Sequence, residues 1–175
     1  MHPRQPIPRL WMMTDERQGK GLLPAVKRLP RGAGIVFRHY SLPPRERRAL
    51  FEAVRRAARG RLVLVLAGSA RQAAAWRADG WHGPATARAS RPMPHSASAH
   101  NAREVRRAAD ILFLSPLFPT RSHPGGRVLG RTRFAALARQ ARVPVIALGG
   151  MTPRNARRLG ALGASGWAAI DGLIR

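Results

Sequence analysis

Three short apolar runs in the second half of the chain each end abruptly in small or polar residues. They are DILFLSPLFPTRSHPGG (110–126), VPVIALGG (143–150) and GWAAIDG (166–172). The apolar part of the first, from Ile111 to Leu114, is too short and too apolar for an amphipathic helix, and Pro116 and Pro119 forbid a helix directly after it. Buried strands with polar carboxyl ends, separated by helical segments, are typical of a parallel α/β protein that binds its ligand above the strand ends.

The first half of the chain supplies five more units of this kind. Further strands are predicted at 10–14, 35–39, 62–67, 79–83 and 95–100, and helices at 22–29, 44–58, 68–78, 101–109, 133–140, 153–162 and 173–175. Residues 84–94 lack a period and predict a loop. Eight such units predict a single-domain α/β protein over 1–175, a small (β/α)8 TIM barrel with a shortened fourth or fifth unit and a truncated last helix. An open doubly wound sheet is the alternative, but it usually has fewer strands and a glycine-rich first turn.

The charge of the chain is strongly positive. It has 32 basic residues against 8 acidic ones, a formal net charge of +24, and all basic residues except Lys20 and Lys27 are arginine. A polyanion partner or an arginine-rich codon bias would each explain this. The arginines are spread over nearly every predicted helix and stacking aromatics are sparse, which favours the bias. We therefore expect no dedicated nucleic-acid partner, while small phosphorylated substrates would be attracted.

Several classes of protein are disfavoured by what the sequence lacks. Without cysteine there is no disulfide, thiolate nucleophile or cysteine-based metal site. The stretch LVLVLA is far shorter than the ~18 residues of a membrane span, and MHPRQPIPRL has no apolar signal core. We expect a cytoplasmic protein with no membrane partner, and the oligomeric state stays open. Lysine is absent after Lys27, which excludes a Schiff-base aldolase with its lysine at a later strand end.

Glycines at the last two strand ends predict a phosphate site. In such barrels phosphate binds to the loops after strands seven and eight, where backbone N–H groups face the anion directly. Gly149, Gly150 and Gly172 fit that role, although each could also be a simple turn residue. Thr120 and Ser122 lie in the adjacent loop and could add hydroxyl donors, so the joint pattern favours phosphate.

Four histidines fall at or just after predicted strand ends, where a general acid or base would stand: His39, His82, His100 and His123. Each could equally be a hydrogen-bonded loop residue. No carboxylate occurs between Glu52 and Asp79, so strand three brings none to the barrel mouth and the residues predict no metal site.

The motifs SPLFPTRSHPGG, VPVIALGGM, ADGWHG and GASGWAAIDGLI resemble the thiamine phosphate synthase and thiazole tautomerase superfamily, over essentially the whole chain. The resemblance implies a (β/α)8 barrel. For the synthase branch it implies a transferase that joins an aminopyrimidine pyrophosphate to a thiazole phosphate with Mg²⁺ and releases pyrophosphate. It also implies that Thr120, Ser122 and Gly150 hold the thiazole phosphate, with the N–H groups of Ile170 and Asp171 completing the cup.

Other family positions fall on the earlier strands. Arg38 matches the arginine of the family's Gln-x-Arg-x-Lys pattern on strand two, which grips the pyrophosphate. Ser98 and His100 match its Ser-x-His after strand five, where the tautomerase branch keeps its acid/base histidine, and His95 with Ser96 is a rival alignment. His82 at the end of strand four is expected to touch substrate.

The chain departs from the family at several ligands. The glutamine and lysine of strand two are Val36 and Tyr40, the Asn-Asp metal position after strand three is Ala67–Gly68, and the Gly-Gln-x-x-Asp after strand four is missing. His123 stands where a lysine would meet pyrophosphate. Asp171 replaces a serine, which puts a carboxylate beside the phosphate unless it points away or pairs with an arginine.

Three functions are compatible with this pattern. The first is a divergent synthase in which Arg38 and His123 replace the lost lysines, with Mg²⁺ as cofactor if the lost ligands are replaced. The second is a metal-independent, tautomerase-like enzyme that uses His100 as general acid/base. The third is a non-catalytic binder of a phosphorylated ligand or a polyanion.

Overall fold

Eight parallel strands close into a barrel in which each strand pairs with the next in sequence and the last pairs with the first. The computed structural model describes residues 6–84, 93–121 and 125–174. The strands are β1 (Leu10–Met13), β2 (Gly34–Phe37), β3 (Val63–Ala67), β4 (Gly80–His82), β5 (His95–Ala99), β6 (Ile111–Leu114), β7 (Val145–Ala147) and β8 (Gly166–Ala169). The predicted (β/α)8 barrel is confirmed, and the doubly wound alternative is excluded because the sheet has no open edge.

In the described ranges, five α-helices cover the barrel: α1 (Leu22–Arg28), α2 (Pro44–Ala58), α3 (Ala70–Ala75), α4 (Gly130–Ala138) and α5 (Pro153–Ala156). Three 3₁₀ turns complete the helical elements of the described residues: Glu16–Gly21, Glu104–Arg106 and Gly160–Leu162. Within the described part of the chain, no helix is both long enough and apolar enough to cross a membrane.

The helix predicted over 101–109 is wrong, because only Val105 of this segment is buried and a longer helix would have almost no apolar face to pack, although Asn101 caps the first turn. The Asn101 carboxamide oxygen accepts hydrogen bonds from the N–H groups of Arg103 and Glu104, while the Glu104 carboxylate accepts from the N–H of His100 at 2.7 Å. This closes a tight turn, and Arg107 is already extended. Only a single 3₁₀ turn forms between β5 and β6.

The two helices predicted near the end of the chain are also shorter or absent. The segment 153–162 splits into α5 and a 3₁₀ turn, since Gly160 favours helix weakly and Gly163 ends the turn with φ +78°. Among the described residues 173–174, Leu173 and Ile174 form no helix and pack instead against the core. The truncated last unit is therefore even shorter than predicted.

The barrel interior is filled by side chains that alternate along the strands. Trp11 and Phe113 meet edge to face there, with ring centroids 5.4 Å apart. Gly34 on β2 makes room for this packing, since a Cβ atom at that position would lie 2.2 Å from the Trp11 ring. The lower barrel is thus a packed core, and polar groups are left to the carboxyl ends of the strands.

Candidate active site

A chain of alternating charges crosses the mouth of the barrel at the carboxyl ends of the strands. Arg38, just after β2, donates from Nη2 to Asp15 at 2.8 Å, and Asp15 also accepts from Arg17 Nε at 2.7 Å. Arg17 Nη1 lies 3.6 Å from Asp171, just after β8, and Arg121 Nε lies 3.5 Å from the same carboxylate oxygen. The five residues form the rim ion chain, with three positive and two negative charges.

The first carboxylate of the rim ion chain is firmly ionised. Partial burial pushes the pKa of Asp15 upward, but hydrogen bonds from Arg17 and the charges of Arg17 and Arg38 outweigh this and hold the pKa below its usual value. Both Asp15 oxygens are therefore committed to guanidinium groups, and Asp15 serves to orient the two arginines.

Arg38 is aimed by its neighbours as well as by Asp15. Its backbone N–H donates to Thr14 Oγ1 at 2.8 Å, and its Nε donates to the Thr14 carbonyl at 2.7 Å. The Arg38 carbonyl in turn accepts from Arg47 Nε at 2.9 Å. Arg38 Nη1 has no hydrogen-bond partner among the described residues, so this edge of the guanidinium is available to an anion in the mouth.

Asp171, which stands where the family has a serine, pairs with two arginines. Two guanidinium groups share its Oδ2, and a phosphate in the predicted cup would compete with this carboxylate for Arg17 and Arg121.

We therefore expect Asp171→Ser to raise the affinity for inorganic phosphate by roughly tenfold, because one negative charge near the anion is removed. Calorimetric titration at low ionic strength measures this.

The matched control for this prediction is Glu46→Gln, which removes one carboxylate from an exposed position on α2. Its phosphate affinity should stay within about twofold of the parent protein, since distant exposed charges are screened by solvent and salt. An equal gain in both variants would mean that Asp171 acts only through the net charge.

A buried histidine links two serines inside the barrel. His82 Nδ1 lies 3.0 Å from Ser96 Oγ, and His82 Nε2 lies 3.3 Å from Ser98 Oγ. Ser96 Oγ donates to the Trp81 carbonyl at 3.4 Å. Because that bond uses the Ser96 proton, we infer that Ser96 accepts from Nδ1–H and that Nε2 accepts from the Ser98 hydroxyl.

The imidazole in this relay is neutral at pH 7. Burial, and after it the nearby charges of Arg38 and His95, lower the pKa of His82 to about 4. Ser98 is exposed in the mouth, while His82 is buried below it and packs edge to face on Phe113. A ligand in the mouth thus meets a hydroxyl that donates its proton to a neutral imidazole, so the Ser98 oxygen is oriented to accept a hydrogen bond from the ligand.

His100 follows β5 and carries a defined tautomer. Its Nδ1 lies 2.9 Å from the carbonyl of Ser115, which can only accept, so Nδ1 carries a proton and, in the neutral form of the ring, Nε2 has the lone pair. His95 starts β5 at the opposite end, where its ring stacks on Trp81 at 3.7 Å. Of the two histidines in the rival alignments, only His100 lies at the mouth.

Another of the candidate histidines, His39, has a structural position. Its ring stacks on Phe37 and its Nδ1 bonds to Thr14 Oγ1 at 2.9 Å. Burial is the main cause that lowers the pKa of His39, outweighing the carboxylates of Glu16 and Asp15. It braces the ends of β1 and β2 and does not face the mouth.

The predicted phosphate-binding loops, which follow β6 and β7, are in contact with each other. Gly149 and Gly150 have φ values of +94° and +62°, and a Cβ atom on Gly150 would lie 2.4 Å from the Pro119 carbonyl. Only glycine allows this close approach, which brings the loop with Thr120 beside the turn after β7. Ile170 follows β8, and its carbonyl accepts from Gln18 at 3.0 Å. Gly172 packs equally tightly, since its Cβ would meet the Met151 carbonyl at 2.5 Å.

Two predicted substrate residues, Ser122 and His123, lie outside the described residues. Three further residues of the site had no role assigned from the sequence, and each makes at least one contact with a residue distant in the sequence: Asp15, Arg17 and Arg47. Ser96 had been named only in the rival alignment with His95. Ser96 alone had a local signal, because Ser96 and Ser98 alternate on one strand and must share a face.

The described residues do not fit the Mg²⁺ ion that the resemblance implies. This ion prefers octahedral oxygen ligands, usually including carboxylates. Ala67, Gly68 and Gly83 at the ends of β3 and β4 offer no side-chain oxygen, and the Ala67 carbonyl already accepts from Arg47 at 2.6 Å. Asp15 is committed to arginines. Within the described residues no group of three or more His, Asp or Glu could hold a metal ion, so we derive no step through one.

Comparison with known proteins agrees with this geometry. The family model for thiamine monophosphate synthase matches residues 12–173. The chain belongs to the thiamine monophosphate synthase family. It is 30% identical to "Putative thiamine-phosphate synthase 2" of Aquifex aeolicus, over 94% of this chain and 97% of that protein. It is also 37% identical to the thiamine-phosphate synthase of Anoxybacillus flavithermus, over 45% of this chain and 39% of that protein.

Solved structures show the same fold. Thiamine phosphate pyrophosphorylase from Pyrococcus furiosus superposes with a TM-score of 0.75 at 22% identity, covering 93% of this chain and 85% of that one. Tryptophan synthase of Mycobacterium tuberculosis matches less well, with a TM-score of 0.61 at 13% identity over 94% of this chain and 83% of that one. The predicted family resemblance is therefore confirmed.

Proposed function

We propose that the protein is a synthase-type transferase of thiamine biosynthesis, which joins an aminopyrimidine pyrophosphate to a thiazole phosphate. The observation that carries this proposal is Arg38, held in the mouth of a family barrel with its Nη1 edge available. In the reaction, the bond between the pyrimidine methylene carbon and the pyrophosphate oxygen breaks, and the thiazole nitrogen bonds to that carbon. Negative charge then develops on the leaving pyrophosphate.

The residues of this chain support such a transfer in four ways. Arg38 places a fixed cation where the leaving group gains charge, which stabilises the transition state more than the ground state. The loops around Gly150 and Thr120 form a cup for the thiazole phosphate. Ser98 offers a hydroxyl between the two substrates, and this hydroxyl donates a hydrogen bond to His82. Asp171 tunes the affinity of the cup for phosphate.

The test is formation of thiamine phosphate from both substrates by the purified, folded protein. Product that requires both substrates and appears with an equal amount of pyrophosphate is the expected result. Assays with and without Mg²⁺ establish whether the transfer needs a metal ion. No product from protein that binds both substrates would overturn the proposal.

A second function is favoured by one observation, the tautomer of His100. With Nδ1–H tied to the Ser115 carbonyl, Nε2 is a base at the mouth, as a tautomerase-like isomerisation of a thiazole phosphate requires. This function needs only the phosphate cup and a proton-transferring group. It does not use Arg38 as a leaving-group cation.

His100→Gln separates the two functions. Glutamine can still donate to the Ser115 carbonyl but cannot act as a base, so the isomerisation rate should fall by at least about 100-fold while substrate affinity stays within about threefold. The rate is measured as the disappearance of the thiazole phosphate isomer that is supplied as substrate. Unchanged turnover would remove His100 from the chemistry and leave the transferase as the remaining function.

A further inference from the structure

A second site for anions lies outside the barrel, between α4 and the segment that follows β7. It is a cavity of about 560 Å³, a size common for small-molecule sites. Arg131 on α4 and Arg154 on α5 line it together with Arg157 and Arg158, which directly follow α5. None of the described lining residues is acidic, so the cavity carries a single sign of charge.

The four guanidinium groups are not used by the fold. Within residues 6–84, 93–121 and 125–174, none of them has a hydrogen-bond or ion-pair partner. Asp171 is the only acidic residue in the sequence after Asp110, and it already faces Arg17 and Arg121. No carboxylate of the described residues pairs with these four arginines, so they give the cavity a positive potential, which salt screens because all four side chains are exposed.

One wall of the cavity is apolar. Phe118, Leu159 and Leu162 line it, and all three belong to or pack against the hydrophobic cluster under α4. A half-buried phenylalanine ring beside several guanidinium groups offers a flat apolar surface next to strong anion donors. Such a combination suits a ligand that has both a planar ring and a highly charged group.

The cavity is separate from the barrel mouth. The Phe118 N–H donates to the Gly149 carbonyl at 3.1 Å, and a Cβ atom on Gly150 would lie 2.8 Å from Phe118 Cβ, so the two loops form a closed wall. Asn155 seals the same wall, because its Nδ2 donates to the Gly150 carbonyl at 3.0 Å. Among the described residues, none of those proposed to hold substrate in the mouth lines this cavity.

We propose that this cavity binds a nucleoside diphosphate or triphosphate, with the phosphates on the four arginines and the base on the apolar wall. Two or more phosphates match four guanidinium groups better than one, since each planar guanidinium can pair with phosphate oxygens through two N–H groups. The base would stack on the Phe118 ring. The proposal goes beyond the transferase function and does not depend on it.

Calorimetric titration with ADP at low ionic strength tests this site. Arg157→Gln together with Arg158→Gln should weaken ADP binding at least tenfold. The matched control, Arg45→Gln together with Arg48→Gln on the exposed face of α2, makes the same change in net charge and should alter affinity less than twofold. Phe118→Ala should weaken binding of ADP more than binding of inorganic pyrophosphate, because only ADP has a base.

Three outcomes would overturn the proposal. Equal loss in both double variants would mean that ADP responds only to the overall charge. Loss of ADP binding in Arg38→Gln, with binding retained in the Arg157 and Arg158 variant, would place the nucleotide in the barrel mouth. A single-stranded oligonucleotide that binds through the same arginines more than tenfold tighter than ADP would identify a nucleic-acid surface instead.

Discussion

Replacing Arg38 with glutamine is expected to lower kcat/KM for thiamine phosphate formation by about 100-fold, the usual effect of removing one fixed donor from a developing negative charge. Glutamine keeps a polar group near Thr14 and Asp15 but loses the charge and the available Nη1 edge. Most of the loss should appear in kcat, because the leaving pyrophosphate is more negative in the transition state than in the bound substrate. Steady-state kinetics with the aminopyrimidine pyrophosphate varied measures both constants.

Two comparisons make the Arg38 result interpretable. Arg45→Gln removes an exposed arginine from α2 and should leave kcat/KM within about twofold, because its charge is screened. Thermal unfolding should show that Arg38→Gln remains folded, since Asp15 stays paired with Arg17. A rate within about threefold of the parent would contradict a role for Arg38 at the leaving group.

Replacing Arg47 with alanine is expected to destabilise the protein by about 3 kcal/mol, a large share of a typical domain's stability. The buried guanidinium donates to the carbonyls of Ala67 and Arg38, at 2.6 Å and 2.9 Å, and so ties the ends of β2 and β3 to α2. It also lies over the rings of Phe37 and Trp76, within 5.8 Å of each centroid. Alanine leaves both carbonyls without this donor.

Chemical denaturation followed by circular dichroism measures this change. Arg48→Ala, one residue further along α2 and exposed, is the matched control and should change the free energy of unfolding by less than about 0.5 kcal/mol. Burial lowers the pKa of Arg47, but arginine remains charged at neutral pH. The loss of unfolding free energy should therefore stay the same over about one pH unit either side of neutrality. A loss below about 1 kcal/mol would mean that water satisfies the two carbonyls.

The barrel could be predicted from the sequence because its signal is local. Each strand is a short apolar run, and parallel strands necessarily bring their carboxyl ends to one edge. Arg38 and His100 could therefore be placed at the mouth from their positions alone, whereas Ser98 was implied by the family resemblance. The helix expected after Asn101 ends after one turn because only Val105 of that segment is buried, which leaves a longer helix without an apolar face to pack.

The rim ion chain could not be predicted in the same way. Asp15 and Asp171 stand near opposite ends of the sequence and are linked through Arg17 only because β8 closes against β1. Which oxygen pairs with which guanidinium then depends on side-chain geometry. The sequence raised the question of whether Asp171 would pair with an arginine, and the fold answers that it pairs with two.

The most direct test of the proposed function is a single-turnover assay with the folded protein in excess over the aminopyrimidine pyrophosphate and with thiazole phosphate present. Formation of thiamine phosphate and pyrophosphate in equal amounts, slowed about 100-fold by Arg38→Gln, is the expected result. Binding of both substrates without any thiamine phosphate would contradict it and would leave the isomerisation at His100 as the function to test.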